Sequence, residues 1–236
     1  MNFDYKHKTR ENYKDDRSAE VYHNAFAASN GLKTIPFRYV ATRERRVVKS
    51  LLHRIPHGTI IDIPAGSGKL ASTFAELGSR AFACDISANM LAIAKSEYQR
   101  IRYNAVQFMV NDIVQLSEFA PPSLDAVVCL RLMHRVPRDV RQVMLKEISL
   151  VAPYAIVSFG IDNRFHELRH ALRKAVFGGK RDDLCYCSMS SARSEVSSMF
   201  VIRKQKWIAP ALSRELIFLL ESKEHTSAKS AIEIRN

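Results

Sequence analysis

Long apolar runs are what this 236-residue chain lacks most clearly. No stretch approaches the roughly 20 residues that a membrane-spanning helix needs. The opening residues, MNFDYKHKTRENYKDD, are too polar for a secretory signal, so a cytoplasmic location is expected. Cysteine is scarce. Cys84 and Cys129 fall in apolar runs that read as strands, while Cys185 and Cys187 form a lone C-x-C, which is neither a zinc pattern nor a disulfide framework. Reduced, structural thiols are expected. No internal repeat is visible, and acidic residues are outnumbered. With 36 basic and 24 acidic side chains the net charge is +12, a sign that favours nucleic acid, anionic lipid headgroups or phosphorylated saccharides as partners. Small enzymes can also be basic without such a partner. Hydrophobic content of 47% and charged content of 25% are those of a soluble globular protein, and the length fits one domain with a substantial core.

What is present is concentrated between Thr59 and Met90, TIIDIPAGSGKLASTFAELGSRAFACDISANM. Thr59-Ile60-Ile61 reads as a buried parallel strand ending in a carboxylate, Asp62. A tight turn with Gly66 and Gly68 follows, then a helical run from Lys69 to Leu77 that Gly78 closes. A second apolar run, Ala81 to Cys84, ends in another acid, Asp85. Strand, glycine turn, helix, strand and acid make the nucleotide-binding half of a doubly wound sheet. The glycines let a ligand lie against bare backbone at a helix N-terminus, and Asp85 is placed to accept two ribose hydroxyls.

The details separate the ligands that use such a turn. A Walker loop needs G-x-x-x-x-G-K-[ST]; here Ile63 stands at the first position and Leu70 at the last, so it is excluded. Gly66, Gly68 and Ala71 satisfy the dinucleotide pattern G-x-G-x-x-G/A, but Asp62 at the strand tip would repel a pyrophosphate. The same carboxylate suits a cationic ligand that bears an amino acid. The segment resembles motif I, hhDhxxGxG, of the class I S-adenosylmethionine (SAM)-dependent methyltransferases. That resemblance implies a seven-stranded, mostly parallel α/β sheet with a C-terminal antiparallel hairpin and a helical N-terminal cover. It implies SAM as cofactor, with Asp62, Gly66, Gly68, Asp85 and Ile86 around it.

Further along, Ser87 reads as an N-cap for a helix over Ala88 to Ile101. Val106 to Val110 is the third strand, ending in Asn111-Asp112-Ile113. By the resemblance, Asp112 accepts from the adenine amino group and Ile113 packs on the ring. Leu124 to Leu130 is the fourth strand, with Leu130 at the cofactor. The adjoining RLMHRVP, residues 131–137, is similar to the "LHH-hydrophobe-P" signature of small-molecule methyltransferases, with Arg135 in place of the second histidine. Histidine at the matching place is a base in plant-type O-methyltransferases, so His134 is the candidate general base. Arg131 and Arg135 are candidates for holding the acceptor.

Arg138 to Val151 reads as a helix with Val140, Val143, Met144, Ile148 and Val151 on its apolar face. Tyr154 to Phe159 is the fifth strand, Asn163 to Phe177 a basic helix, and residues 190–199 a short helix. Phe200 to Ile208 and Glu215 to Leu220 form the closing hairpin. Residues 1–19 are expected to be a mobile arm, 20–222 one methyltransferase domain (a helical cover over 20–57 and the core over 58–222), and 223–236 a disordered tail. In the cover, Asn30-Gly31 and Ile35-Pro36 are expected to break the helix. In the resembled family that region meets the acceptor, so Tyr22, Phe26, Phe37, Arg38 and Tyr39 are substrate-side candidates, and Arg43 a partner for the SAM carboxylate.

Other patterns compete. His166-Glu167-Leu168-Arg169-His170 spells the zinc-protease helix motif H-E-x-x-H, but Arg173 and Val176 replace the glycine and third histidine of its extended form. The surrounding arginines and lysines oppose a divalent cation, so no metal is expected and the helix reads as a basic face for an anionic acceptor or membrane surface. Leu130-Arg131-Leu132-Met133 departs from the [DNS]-P-P-[YFW] of base-amine methyltransferases, and no Pro-Cys nucleophile is present; other RNA methylation stays open. A SAM-fold binding module without transfer is a further alternative. The expected reaction is methyl transfer to an oxygen or nitrogen of an anionic small molecule, sugar or lipid-linked acceptor. Tyr22 to Phe26, Arg38 to Glu44, DIPAGSG and RLMHR also look like bacterial methyltransferases associated with lipopolysaccharide-core kinases, which would suggest a phosphorylated sugar or lipid.

Overall fold

Alternation along the central strands divides the core in two. In the computed structural model, which describes residues 35–121, 123–162 and 184–226, β1 (Thr59–Asp62) sends Ile60 to one face of a sheet and Ile61 to the other. β4 (Ala126–Cys129) does the same with Val128 and Val127. Both faces are covered, which is why these strands read as unbroken apolar runs.

Seven strands form the sheet in the order β3-β2-β1-β4-β5-β7-β6, where β2 is Arg80–Asp85, β3 Val106–Val110, β5 Tyr154–Gly160, β6 Phe200–Trp207 and β7 Glu215–Ser222. The first five run parallel; β7 pairs antiparallel with both β5 and β6. The expected fold class is therefore the observed one. The strand order reverses between β1 and β4, and in open α/β sheets ligands bind beyond the carboxyl ends of the strands at that point.

On one face pack α1 (Ile35–Leu52), α2 (Ala71–Leu77) and α3 (Ala88–Arg100), through Val48, Leu51, Phe74 and Tyr98. On the other lie a short α4 (Leu116–Phe119), α5 (Arg138–Val151) and α6 (Met189–Ser197). The described helix begins at Ile35, where Ile35-Pro36 is expected to break the cover. Pro36 falls in the first turn of α1, where its missing N–H has no intrahelical partner to lose. Gly78 ends α2 at φ +66°, with its N–H on Ala75 O and that of Ser79 on Phe74 O, and Ser87 Oγ caps α3 by accepting from Met90 N–H at 3.3 Å.

The inward face of α5 is turned from the expected one. Met144 and Ile148 are buried as anticipated, but Val143 is exposed and Arg141 is buried. Arg141 points inward because Glu195 of α6 waits there: Nε and Nη2 donate to its two carboxylate oxygens at 2.7 and 2.9 Å, and Nη1 donates to Val136 O at 2.9 Å. A hydrophobic periodicity cannot anticipate a paired buried cation. The arm, Tyr22 and Phe26, the HELRH run, the basic helix 163–177 and the tail beyond residue 226 lie outside the described residues, as does the Phe37 side chain. The four cysteines are free thiols, with Cys84 and Cys129 buried in β2 and β4. Among the described residues no helix is long and apolar enough to cross a membrane, and no group of three His, Cys, Asp or Glu could hold a metal ion.

Candidate active site

Beyond Asp62 the chain turns through residues 63–70 before α2 begins, two residues later than the sequence suggests. Two backbone bonds pin this turn to the sheet, Ile63 N–H to Val128 O at 2.9 Å and Ala65 N–H to Cys84 O at 2.8 Å. Gly66 adopts φ +54°, where a Cβ would meet nothing nearer than Met90 Cε at 3.8 Å. Bare backbone faces open space there. Gly68, at φ +75°, faces elsewhere: a Cβ would lie 3.1 Å from Ala94 Cα, so its missing side chain lets the turn pack on α3.

Asp85 at the end of β2 holds the turn in shape. Its Oδ2 accepts from Gly66 N–H and its Oδ1 from Ser87 N–H, each at 2.9 Å. With Ile86 N–H also on this carboxylate, three of its roughly four lone-pair sites are used and one stays open to another donor. Asp62, Asp85 and Asp112 are all buried and line one cleft with Gly66, Ile86, Ile113 and Leu130, enclosing about 1070 Å³ that includes solvent at the mouth. Asp112 also caps a 3-10 turn over Ile113–Gln115, its Oδ1 accepting from Val114 N–H at 3.3 Å. Burial, aided by Asp85 and Glu44, pushes the Asp62 carboxyl well above the usual range. Burial also raises Asp85, against the N–H bonds from Ser87, Gly66 and Ile86. Buried carboxylates in an otherwise apolar cleft favour a cationic ligand with N–H and O–H donors and oppose a pyrophosphate.

A second cavity of about 750 Å³ adjoins the cleft and shares Arg131 and Arg135 with it. Arg131 follows β4 at φ +59°, an uncommon conformation for a residue with a side chain. Its N–H donates to Ser158 Oγ at 2.7 Å, its Nε to Glu44 Oε2 at 2.8 Å, and its Nη2 also contacts Glu44; Glu215 Oε2 lies 3.7 Å from Nε. Arg135 reaches back, Nε donating to Arg131 O at 3.0 Å. The lining of the second cavity also includes His134, Tyr186, Arg214 and Glu215. His134 and Tyr186 stack at 5.9 Å with planes 12° apart, and Arg214 lies 4.5 Å over the Tyr186 ring while pairing with Asp162. Gly160 makes this closure possible, since a Cβ would come within 2.6 Å of the tyrosine ring and 2.8 Å of His134 Cβ.

Residues 60–152 match the family model described as "Methyltransferase domain". The ubiquinone biosynthesis O-methyltransferase of Albidiferax ferrireducens is 28% identical over 105 residues, which cover 44% of this chain and 41% of that protein. Its namesake from Xanthomonas campestris is 26% identical over 110 residues, 47% and 45% of the two chains. The chain thus spans about half the length, or less, of the curated relatives it matches. Among solved structures, magnesium protoporphyrin IX methyltransferase from Synechocystis PCC 6803, crystallised with SAH, superposes with a TM-score of 0.75 at 17% identity over 90% of this chain and 98% of that one. Human N-acetylserotonin methyltransferase with SAM gives 0.62 at 16%, over 92% and 59%. At these identities the superpositions establish the fold; the domain match and the acidic cleft at the sheet's switch point agree with it.

Residues 60–152 thus match a methyltransferase domain, and the sheet has the class I methyltransferase fold.

Of the residues singled out in the sequence, Asp62, Gly66, Asp85, Ile86, Asp112, Ile113, Leu130, Arg131 and Arg135 line the cleft. Gly68 does not; it serves the packing of the turn on α3. Arg43, Arg38 and Tyr39 are exposed on α1 and line neither cavity. Their neighbours take the inward places: Val40 lines the second cavity and Glu44 the cleft. The signal was available, because the buried stripe Val47, Val48, Leu51, Leu52 extends back at helical spacing to Glu44 and not to Arg43. His134 lies in the second cavity. Burial, with Arg135 and Arg131 beside it, pushes the imidazole down to about 3, which makes it a poor proton acceptor. Its Nδ1 is buried and has no hydrogen-bond partner among the described residues.

Proposed function

We propose that the protein transfers the methyl group of SAM to an oxygen of a small anionic molecule held in the second cavity. The observation that carries this reading is the shared wall. Arg131 and Arg135 line both spaces, so the two cavities adjoin at these side chains and a ligand in one would lie next to a ligand in the other. SAM supplies the electrophilic methyl; Asp62 is positioned for its amino acid end, Asp85 for the ribose, and Asp112 with Ile113 for the adenine. Arg135 and Arg214 line the acceptor side, and two cations favour an acceptor that already carries negative charge. The stacked His134–Tyr186 pair offers a flat wall to a ring. Relatives named for O-methylation in ubiquinone biosynthesis and for magnesium protoporphyrin IX methylation support a small-molecule acceptor over RNA. Displacement at the methyl asks for proximity and collinearity more than covalent chemistry, and a site closed to water supplies both.

Incubation with methyl-labelled SAM and a fractionated bacterial extract tests this. Label should move into the acidic small-molecule fraction. Label in RNA, neutral lipid or protein instead would overturn the acceptor class, and no transfer at all would overturn the activity.

A further inference from the structure

We propose that Glu215, and not His134, takes the proton from the methyl acceptor. This rests on the reading of the second cavity as the acceptor site. Glu215 opens β7 opposite Gly160, the last residue of β5, so it stands at the carboxyl edge of the sheet beside the cofactor cleft. Among the described residues it is the one carboxylate that lines the second cavity. Its side chain is more than nine-tenths buried, and Oε1 has no hydrogen-bond partner among the described residues. The other oxygen faces Arg131 at 3.7 Å, and the Ser158 hydroxyl hydrogen-bonds the carboxyl group while accepting from Arg131 N–H. An unsatisfied buried acceptor that borders a cavity is costly unless a ligand donor can reach it.

Among the described residues of that cavity, His134 and Glu215 are the two candidate proton acceptors, and their surroundings drive them apart. His134 is pushed down to about 3, as described above. Burial and the nearby Glu44 raise Glu215 to about 7, against Arg131, Ser158 and Lys69. A base works best when its pKa lies near the operating pH, which selects the glutamate. The groups that face it come from four elements: Glu44 on α1, Lys69 in the turn before α2, Arg131 after β4 and Ser158 on β5. Arg135, His134, Tyr186 and Arg214 complete the cavity wall. In the proposed step an acceptor O–H gives its proton to the ionised Glu215. The freed oxygen forms a bond to the methyl carbon, and the carbon–sulfur bond breaks with its electron pair left on sulfur. Sulfonium charge and carboxylate charge disappear together, leaving a neutral thioether and a neutral carboxylic acid.

The test has two arms on the full chain. Protein labelled with 13C at the glutamate carboxyl, with Glu215→Gln to identify the resonance, is titrated between about pH 4 and 9, a range that spans ordinary and raised carboxyl pKa values. A midpoint near 7 is expected; one below about 5, the ordinary glutamate range, overturns the proposal. In the second arm Glu215→Gln and Glu215→Asp are compared with wild type for SAM affinity by calorimetry and for label transferred into the extract fraction that wild type methylates. Turnover of the glutamine variant should fall roughly 100-fold or more, with SAM affinity kept and partial recovery in the aspartate variant. Transfer by Glu215→Gln at the wild-type rate overturns the base role alone. If wild type takes up no SAM, the reading of the site fails with it.

Discussion

Arg131 donates from Nε to Glu44 Oε2 at 2.8 Å, and this pair lies where the acidic cleft adjoins the second cavity. Glu44 comes from a helix ahead of the glycine turn and Arg131 from the end of β4, 87 residues later. The pair ties the cover to the sheet where two ligands would meet. Glu44→Gln should leave Arg131 turning toward Glu215 and destabilise the fold by about 1–3 kcal/mol, the range for a buried group that loses its partner. Because Glu44 raises both Asp62 and Glu215, the same variant should move the acidic limb of the pH–rate profile to lower pH. Thermal denaturation and a pH profile of methyl transfer check the two halves.

The two glycines of the turn should separate on mutation. Gly66→Ala places a side chain at φ +54° on the cleft side, so SAM binding should weaken while the fold loses only about 1–2 kcal/mol. Gly68→Ala drives a Cβ onto the backbone of Ala94 and should be the more destabilising of the two, with the affinity of the remaining folded protein closer to wild type. Calorimetry of SAM binding alongside melting curves distinguishes them; equal effects on affinity would contradict the assignment of Gly68 to packing.

SAM affinity should depend on pH with a definite sign. Asp62 and Asp85 have raised pKa values in the folded protein and must be ionised to serve a cationic ligand. Affinity therefore rises with pH through their titration and falls as they protonate. Protein stability without ligand runs the opposite way across that window. The folded state binds protons there that the unfolded chain has already released, so these two groups cost stability as pH rises. Binding isotherms and denaturation curves across the acid range check both signs, and Asp62→Asn should flatten the binding dependence.

His134→Gln removes part of the flat wall and should weaken acceptor binding, but it should keep most of the turnover at saturating acceptor. The imidazole is neutral across the physiological range and poorly basic, so its removal should fall well short of the roughly 10²–10⁴-fold loss that follows deletion of a general base. Rates of label transfer by this variant and by Glu215→Gln, measured side by side, rank the two residues.

The pair Arg141–Glu195 offers a control away from the chemistry. Glu195→Gln leaves a buried guanidinium without its counter-charge and should destabilise the fold by about 3–5 kcal/mol, while a joint replacement of both residues by apolar side chains should recover most of that loss. Urea denaturation of the single and double variants measures it. Since Arg141 also donates to Val136 O, Glu195→Gln should loosen the loop that carries His134.

Much of the site was legible because its residues end strands. Asp62 and Asp85 each end an apolar strand and Asp112 follows two residues after a third, and parallel strands bring such ends to one edge, so local sequence suffices to group them. Gly66 and Gly68 looked alike in a glycine pattern, and only the packing of α3 separates them. Charge alone points to Arg43, whereas the helical phase of Val47, Val48, Leu51 and Leu52 selects Glu44. Glu215 had no local signature. It reaches the cavity through the antiparallel register that sets it opposite Gly160, a pairing between residues far apart in the chain. The position of His134 after β4 was readable, but its depressed basicity comes from burial and from two arginines whose placement is tertiary.

The most direct measurement is equilibrium binding of SAM to the purified chain, with Asp85→Ala beside it. One SAM per chain, with binding abolished in the variant because both the turn and the ribose contact lose their anchor, is the predicted result. Protein that takes up no SAM, or that holds a nicotinamide dinucleotide in its place, would contradict the account.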